Sequence, residues 1–321
     1  MPETILFIDK DEHLLNSLED ILADKHFVYR RASGIEEALD CLRSNSISVI
    51  AIDSRMADSG TEGLISQIRA ISPGSLRVLM TTGTDIARAI DAINRDDFFR
   101  YIIKPLDISE LMQTLEDAVR RFKLVLSLKN KDNAAILSTI QSMESKDPYS
   151  RGHAESVVRY ALMIAEALDF SEEAKEDLQY GCWLHDLGKI DIPNKILNKK
   201  QLLIKEEYEV IKNHPVWGAS ITKQANISGP VHNIVLYHHE RYDGNGYPSG
   251  ISGNDIPLAA RIATIADVYS ALTSDRAYRK KYDNEKAVDI MYLMRGNVFD
   301  PELLDIFLNK CLVLSRPFLK H

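Results

Sequence analysis

Thiol chemistry is nearly absent from this chain. Its three cysteines, Cys41, Cys182 and Cys311, lie far apart, are odd in number and form no C-x-x-C pair. That excludes a disulfide framework and a thiolate metal site, and suits the reduced packing cysteines of a cytoplasmic protein. No apolar run approaches the length needed to span a bilayer. The start, Met1-Pro2-Glu3-Thr4, lacks a positive region followed by an apolar one, so no secretion signal and no membrane partner is expected. Basic excess is missing too: the net charge is -8 over 321 residues, which offers no electrostatic footprint for a nucleic-acid duplex. Internal repeats and low-complexity stretches are also lacking. What remains is an acidic chain, expected to be soluble and long enough for two domains with full cores.

Apolar runs set the first half. Residues 4–8, 47–52, 77–82 and 101–103 are short apolar stretches bounded by polar residues, the pattern of buried parallel strands. Between the first two, Leu14, Leu15, Leu18, Ile21 and Leu22 recur at helical spacing. Strands alternating with helices predict a doubly wound α/β domain. In such sheets function collects at the carboxyl ends of the strands, where Asp9, Asp53, Thr82 and Lys104 all fall.

From Asp107 to Met143 the chain reads as one helix, without proline or glycine. Leu115, Val119, Phe122 and Leu126 alternate steps of four and three; Lys129 and Asn133 then hold the same stripe before Ile136, Ile140 and Met143 restore it. Polar residues in such a seam can fix register at a cost in stability. The stripe suits a signalling helix in a parallel homodimer, or one amphipathic helix packed on its own domain.

After Pro148 the pattern is helical almost throughout, with a Gly- and Pro-rich loop at 243–257. Here five histidines, His153, His185, His214, His238 and His239, join two acids, Asp186 and Asp267. A lone histidine is more often a surface or satisfied core residue than a ligand, and His13, His26, His232 and His321 take that plain reading. His185-Asp186 is different, because it interrupts an apolar segment where unpartnered polar groups would be costly. Imidazole with carboxylate suits iron, manganese or zinc. Seven such side chains exceed the needs of one catalytic ion and can hold two if one acid bridges. Two ions roughly 3.5–4 Å apart suit in-line displacement at phosphorus.

His185-Asp186 resembles the defining doublet of the HD phosphohydrolase superfamily. His238-His239-Glu240-Arg241-Tyr242-Asp243-Gly244-Asn245-Gly246-Tyr247-Pro248 resembles the signature of its HD-GYP subfamily, and the likeness runs from about Asp147 to Pro301. It implies an all-α HD domain that opens cyclic di-GMP to linear pGpG, with GMP as the further product. It also implies two divalent metals, iron or manganese, with His153, His185, Asp186 and Asp267 on one and His214, His238 and His239 on the other. Asp186 would bridge. Lys189 would orient the nucleophile or bind phosphate, Arg276 and Arg279 would grip phosphate, and Tyr247 of the Gly246-Tyr247-Pro248 loop would meet base or phosphate. Tyr149 stands where members with a third metal carry Glu, which favours two metals; Ser270 replaces a common Asp.

The first half is similar to the response-regulator receiver domain, of flavodoxin-like fold. That likeness implies phosphorylation at Asp53 by a cognate histidine kinase. Asp9, Thr82 and Lys104, the last before a cis Pro105, would complete the pocket, with Tyr101 as switch aromatic. Receivers carry two adjacent acids after the first strand, and one ligates Mg²⁺. Here the pair is Asp9-Lys10, which should weaken Mg²⁺ binding unless Asp11 compensates. The expected organisation is a receiver at 1–122, a connecting helix at 107–145 that overlaps its last helix, and an HD-GYP domain at 146–321. The competing readings are a non-hydrolytic sensor of cyclic di-GMP, or a module docking GGDEF diguanylate cyclases through the Gly246-Tyr247-Pro248 loop, and an oxidative di-iron enzyme.

Overall fold

A computed structural model describes residues 2–23, 27–57, 62–83, 98–145, 152–197, 199, 201–275 and 280–312. The chain divides into two compact units, residues 1–124 and 125–321.

In the first unit the apolar runs become parallel strands: β1 (Glu3–Ile8), β3 (Val49–Asp53), β4 (Leu76–Thr82) and β5 (Arg100–Lys104). A further strand, β2 (Phe27–Ala32), completes a sheet of order β2-β1-β3-β4-β5. The central strands are apolar on both faces because both are covered. Leu6, Ile8, Ile50 and Ile52 pack into one cluster, Ile5, Phe7, Val49 and Ala51 into another. β2 escapes the sequence pattern because it is an edge strand with exposed Arg30 and Arg31, so it has no apolar run to read. The register pairs Ile8 with Ile52, Asp53 with Met80, and Thr82 with Lys104, so the strand-end polar residues gather at one edge of the sheet.

The predicted continuous helix from 107 is two helices. Ile108–Lys129 is capped by the Asp107 carboxylate, which accepts the Glu110 N–H at 2.8 Å. The chain then turns through Lys131, whose φ of 52° is left-handed, and Asp132 caps Asn133–Ser145 by accepting the Ala135 N–H at 3.1 Å. The seam fails at the same place: Leu115 and Val119 are buried, but Leu126 is 46% exposed and Lys129 and Asn133 face solvent. A local carboxylate cap, not a proline or glycine, breaks the helix. The boundary between the units falls inside Ile108–Lys129, two residues beyond the predicted receiver end at 122.

The second unit is helical. Helices His153–Ala167, Glu172–Leu184 and Leu258–Thr273 supply its main core, with Val157, Ile164, Cys182, Ile262, Ile265 and Tyr269 all buried. A short 3-10 turn, Leu187–Asp191, packs against helix His214–Gln224. The contact depends on Gly188, where a Cβ would collide with the His214 carbonyl oxygen and the Gly218 nitrogen. Among the described residues no helix is long and apolar enough to cross a membrane.

Candidate metal centre

Each histidine is delivered by the end of a helix, where the chain can turn inward. His153 opens its helix after Gly152, held in the left-handed region at φ 74°. Glu144, from helix Asn133–Ser145, accepts the Gly152 and Ala154 N–H groups at 2.9 Å each and so closes that helix start. His185 follows helix Glu172–Leu184, His214 begins His214–Gln224, and His238 ends Gly229–Tyr237.

Three of these rings are oriented by carbonyls one turn back. His185 Nδ1 lies 2.7 Å from Cys182 O, His214 Nδ1 2.9 Å from Ile211 O, and His238 Nδ1 3.0 Å from Val235 O. A carbonyl only accepts, so each Nδ1 carries a proton; on His214 and His238, whose rings are neutral, Nε2 is left as a bare lone pair. His214 Nε2 and His238 Nε2 then face one another at 3.2 Å with no proton of their own to share. His185 Nε2 is buried, with Asp186 Oδ2 3.3 Å away as its charge partner. Asp186 splits its oxygens: Oδ1 lies 3.3 Å from His214 Nε2, while Oδ2 accepts Lys189 Nζ at 2.6 Å. Asp267 Oδ1 lies 3.0 Å from His153 Nε2. Ser270 Oγ sits 2.9 Å from His153 Nδ1, so the serine at this unusual position orients the first histidine.

Two ligand groups result, and Asp186 belongs to both. Asp186, His214, His238 and His239 form one; His153, His185 and Asp186 form the other, with Asp267 beside His153. Bare, convergent imidazole nitrogens around a shared carboxylate fit metal ions. Electrostatics agree. Burial outweighs the nearby acids at His214 and His239, lowering them to about 3 and about 4, and drives His238 well below its usual value. These rings therefore stay neutral and able to ligate. At His185, burial pulls downward, but Asp186 and Asp267 raise the ring to about 9. Burial pushes Asp267 upward, yet the His153 hydrogen bond and the neighbouring imidazoles hold it far below the carboxylate range.

The seven predicted ligands and Lys189 thus gather in one place. Tyr247, in a cis peptide with Pro248, stacks on His239 with ring centroids 4.8 Å apart. Gly246 is required, since a Cβ there would strike the Arg241 nitrogen and Glu240 Cα. Glu240 Oε1 holds the loop from beneath, accepting the Ser249 and Gly250 N–H groups at 2.6 and 3.1 Å. Arg276, Arg279 and Tyr149 lie outside the described residues. A cavity of about 450 Å³ opens beside the cluster, lined by His153, Asp186, Lys189, His239 and Asp267 together with the apolar side chains of Val268, Ala271, Leu272 and Ile290 and by Tyr282. The sequence assigns no role to the apolar lining, to Glu144, or to Glu240 beyond its place in the signature; Glu144 and Glu240 act on backbone N–H groups eight to ten residues on, a link that no local pattern reports.

At the receiver end, Lys104 contacts both Asp9 and Asp53, as predicted for the pocket. Thr82 is adjacent in register, the Lys104-Pro105 peptide is cis, and Tyr101 packs half-buried against the core cluster that holds Leu79 and Phe98.

Comparison with known proteins follows this division. A model of the response regulator receiver domain matches residues 5–116, and a model of the HD domain matches residues 138–303, just over half of the chain. The chain is 27% identical over 336 residues to a cyclic di-GMP phosphodiesterase of Thermotoga maritima, covering 95% of this chain and 89% of that one. It is 31% identical over 300 residues to the cyclic di-GMP phosphodiesterase response regulator RpfG of Xanthomonas campestris, covering 85% and 78%. A 3'3'-cGAMP-specific phosphodiesterase of Vibrio cholerae is 31% identical over 204 residues, covering 62% of this chain and 43% of its own length. With both domain models and a relative over 30% identical in agreement, the chain belongs to the HD-domain family, as a response regulator whose receiver precedes its HD domain.

Proposed function

We propose that this response regulator hydrolyses cyclic di-GMP to linear pGpG, with GMP as a further product, at two metal ions bound in the HD domain. The carrying observation is the pair of ligand groups that share Asp186, with imidazole nitrogens facing one another at 3.2 Å. His153, His185, Asp186 and Asp267 would hold one ion, and Asp186, His214, His238 and His239 the other. The nitrogen and oxygen donor set suits iron or manganese. Such a pair supplies Lewis acidity toward the phosphate and an acidified water.

The chain's own residues do the rest. Lys189 spends one N–H on Asp186 Oδ2, and its ammonium lines the cavity, where it can donate to a nonbridging phosphate oxygen. Tyr247 fixes the His239 ring by stacking, and Lys212 stands 5.8 Å from the centre of the Tyr247 ring, adding positive charge on that side. Val268, Leu272, Tyr282 and Ile290 in the cavity lining offer a base apolar surface close to the ligands that would meet its phosphate. Arg276 and Arg279 would clamp the second phosphate, as their three-residue spacing allows. We assign residues 1–122 to the receiver and 146–321 to the hydrolase, acting in the cytoplasm.

Anaerobic purification, elemental analysis and product chromatography test this reading. Two metals per chain and conversion of cyclic di-GMP to pGpG are expected, with both lost in His185→Ala. Metal-loaded protein that leaves cyclic di-GMP intact with and without oxygen would overturn it, and cleavage of 3'3'-cGAMP alone would reassign the substrate.

A further inference from the structure

The receiver pocket is built on two buried acids that already face two cations. Asp9 follows β1 and is 0% exposed; Asp53 ends β3 and is 2% exposed. The Lys104 ammonium lies between them, touching Oδ2 of each. Arg55 takes the outer side. Its backbone N–H and Nε donate to Asp53 Oδ1 at 2.9 and 3.0 Å, and Nη2 donates to Asp53 Oδ2 at 3.3 Å. That same Nη2 lies 3.9 Å from Asp9 Oδ1, which also accepts the Asp11 N–H at 3.0 Å. Each of the four carboxylate oxygens thus has an N–H partner, and two negative charges meet two positive ones.

Receiver likeness implies a divalent ion here, and the donor set does not fit one. Mg²⁺ demands several oxygens in near-octahedral array. The oxygens of Asp9 and Asp53 are engaged by nitrogen donors, and a third cation would sit among like charges. Asp11 does not compensate for Lys10: its carboxylate accepts the Leu14 N–H at 3.1 Å as the cap of helix Glu12–Leu22. Lys10 itself is exposed, so it leaves out a ligand rather than filling the place of one.

We propose that Arg55 is a built-in counter-ion that stands in for the divalent cation at Asp9 and Asp53 and keeps that cation out of the receiver pocket. The guanidinium suits the part, since its planar fork grips one carboxylate with two nitrogens while one of them still reaches toward the other acid. The receiver then holds its acid pair without Mg²⁺. A kinase acting on Asp53 would first have to displace Arg55, which engages both Asp53 oxygens. This inference stands apart from the hydrolytic reading of the HD domain.

Calorimetric titration of Mg²⁺ into the full chain, with its HD metals in place, tests the proposal. Each trace is compared with that of the same protein carrying Asp53→Ala, so that only uptake at the receiver counts. Wild type is expected to show no Asp53-dependent uptake. Arg55→Ala should gain one such site, at least roughly tenfold tighter than the wild-type limit, as expected for removing one like charge at close range. Lys10→Asp alone, with Arg55 intact, should behave as wild type. Asp53-dependent uptake by wild type within threefold of Arg55→Ala would overturn the proposal, and so would uptake gained by Lys10→Asp alone. Far-UV circular dichroism checks each variant; if Arg55→Ala unfolds, Arg55→Gln replaces it and the same outcomes decide.

Discussion

The two acid clusters of this chain face opposite electrostatic situations. In the receiver, Asp9 and Asp53 meet Lys104 and Arg55, and every carboxylate oxygen has an N–H donor. In the HD domain, Asp186 and Asp267 meet one ammonium group and a ring of imidazoles, three of which have turned their protons toward backbone carbonyls. The first cluster is closed by its own side chains. The second presents lone pairs to lone pairs, an arrangement that only protons or metal ions can relieve. Buried acids alone therefore do not mark a metal site; acceptors left without donors do.

The sharpest break in that comparison is Asp186→Ala. It removes the residue common to both ligand groups and leaves His185, His214 and Lys189 without their shared carboxylate. Metal content should fall from two ions per chain toward none, and turnover by at least roughly 10³-fold. Asp53→Ala, assayed alongside by elemental analysis and product chromatography, should leave both quantities within about twofold, since its pocket holds no metal in this account. A metal-replete Asp186→Ala would dissolve the contrast.

His185 supplies the next effect, visible only in metal-stripped protein. Its folded value of about 9 lies above the unfolded value near 6.5. A raised pKa contributes stability that is full below the unfolded value and is lost as pH rises through the folded one. Stripped protein should therefore lose up to about 3 kcal/mol between pH 6.5 and 9. Metal-loaded protein should not, because the ion has already displaced that proton. Urea melts at the two pH values, with and without metal, measure the difference; parallel curves would mean that His185 is not the proton-holding ligand.

What could be read from residues alone follows from which forces are local. Apolar runs reported the central strands because both faces of the sheet are covered, while β2, with Arg30 and Arg31 exposed, carried no such run. The clustering of the five histidines with Asp186 and Asp267 was legible mainly through the motif likeness; residue chemistry alone flagged only His185-Asp186, which interrupts an apolar segment. The break at Lys131 was not: Lys129 and Asn133 read as polar residues of one seam, yet Asp132 between them caps a second helix. Arg55 was missed for a related reason. It lies two residues past Asp53, and its reach toward Asp9 depends on β1 and β3 being neighbours in the sheet. Ser270 was noticed as a departure, but its partner His153 is 117 residues away.

That partner makes Ser270→Ala the next test. Losing the hydroxyl at His153 Nδ1 frees one ring to rotate while all seven ligands remain. Orienting partners of metal-bound histidines are worth roughly 10- to 100-fold in metal affinity, so weaker metal retention with a near-normal fold is expected. Ser270→Asp should restore retention, because a carboxylate can accept the same ring proton. Competition with a chelator measures both variants, and retention unchanged in Ser270→Ala would reduce the serine to a packing residue.

The smallest expected effect is at the receiver. Burial pushes Asp53 upward, but its bonds to Arg55 and Lys104 outweigh that and set it below the usual carboxylate value of 3.8. A depressed pKa gives stability that is present above the unfolded value and lost only as pH falls through the folded one. The pocket should therefore be unchanged from pH 5 to pH 8, and indifferent to chelator throughout that range. Hydrogen exchange on the full chain resolves this region by region. Chelator should strip protection from the segments around His185 and His238, whose lone pairs lose their ions, and leave β1 and β3 as they were. Loss of protection in β3 on chelation would show that a metal ion, not Arg55, balances Asp9 and Asp53, and would make the two clusters alike.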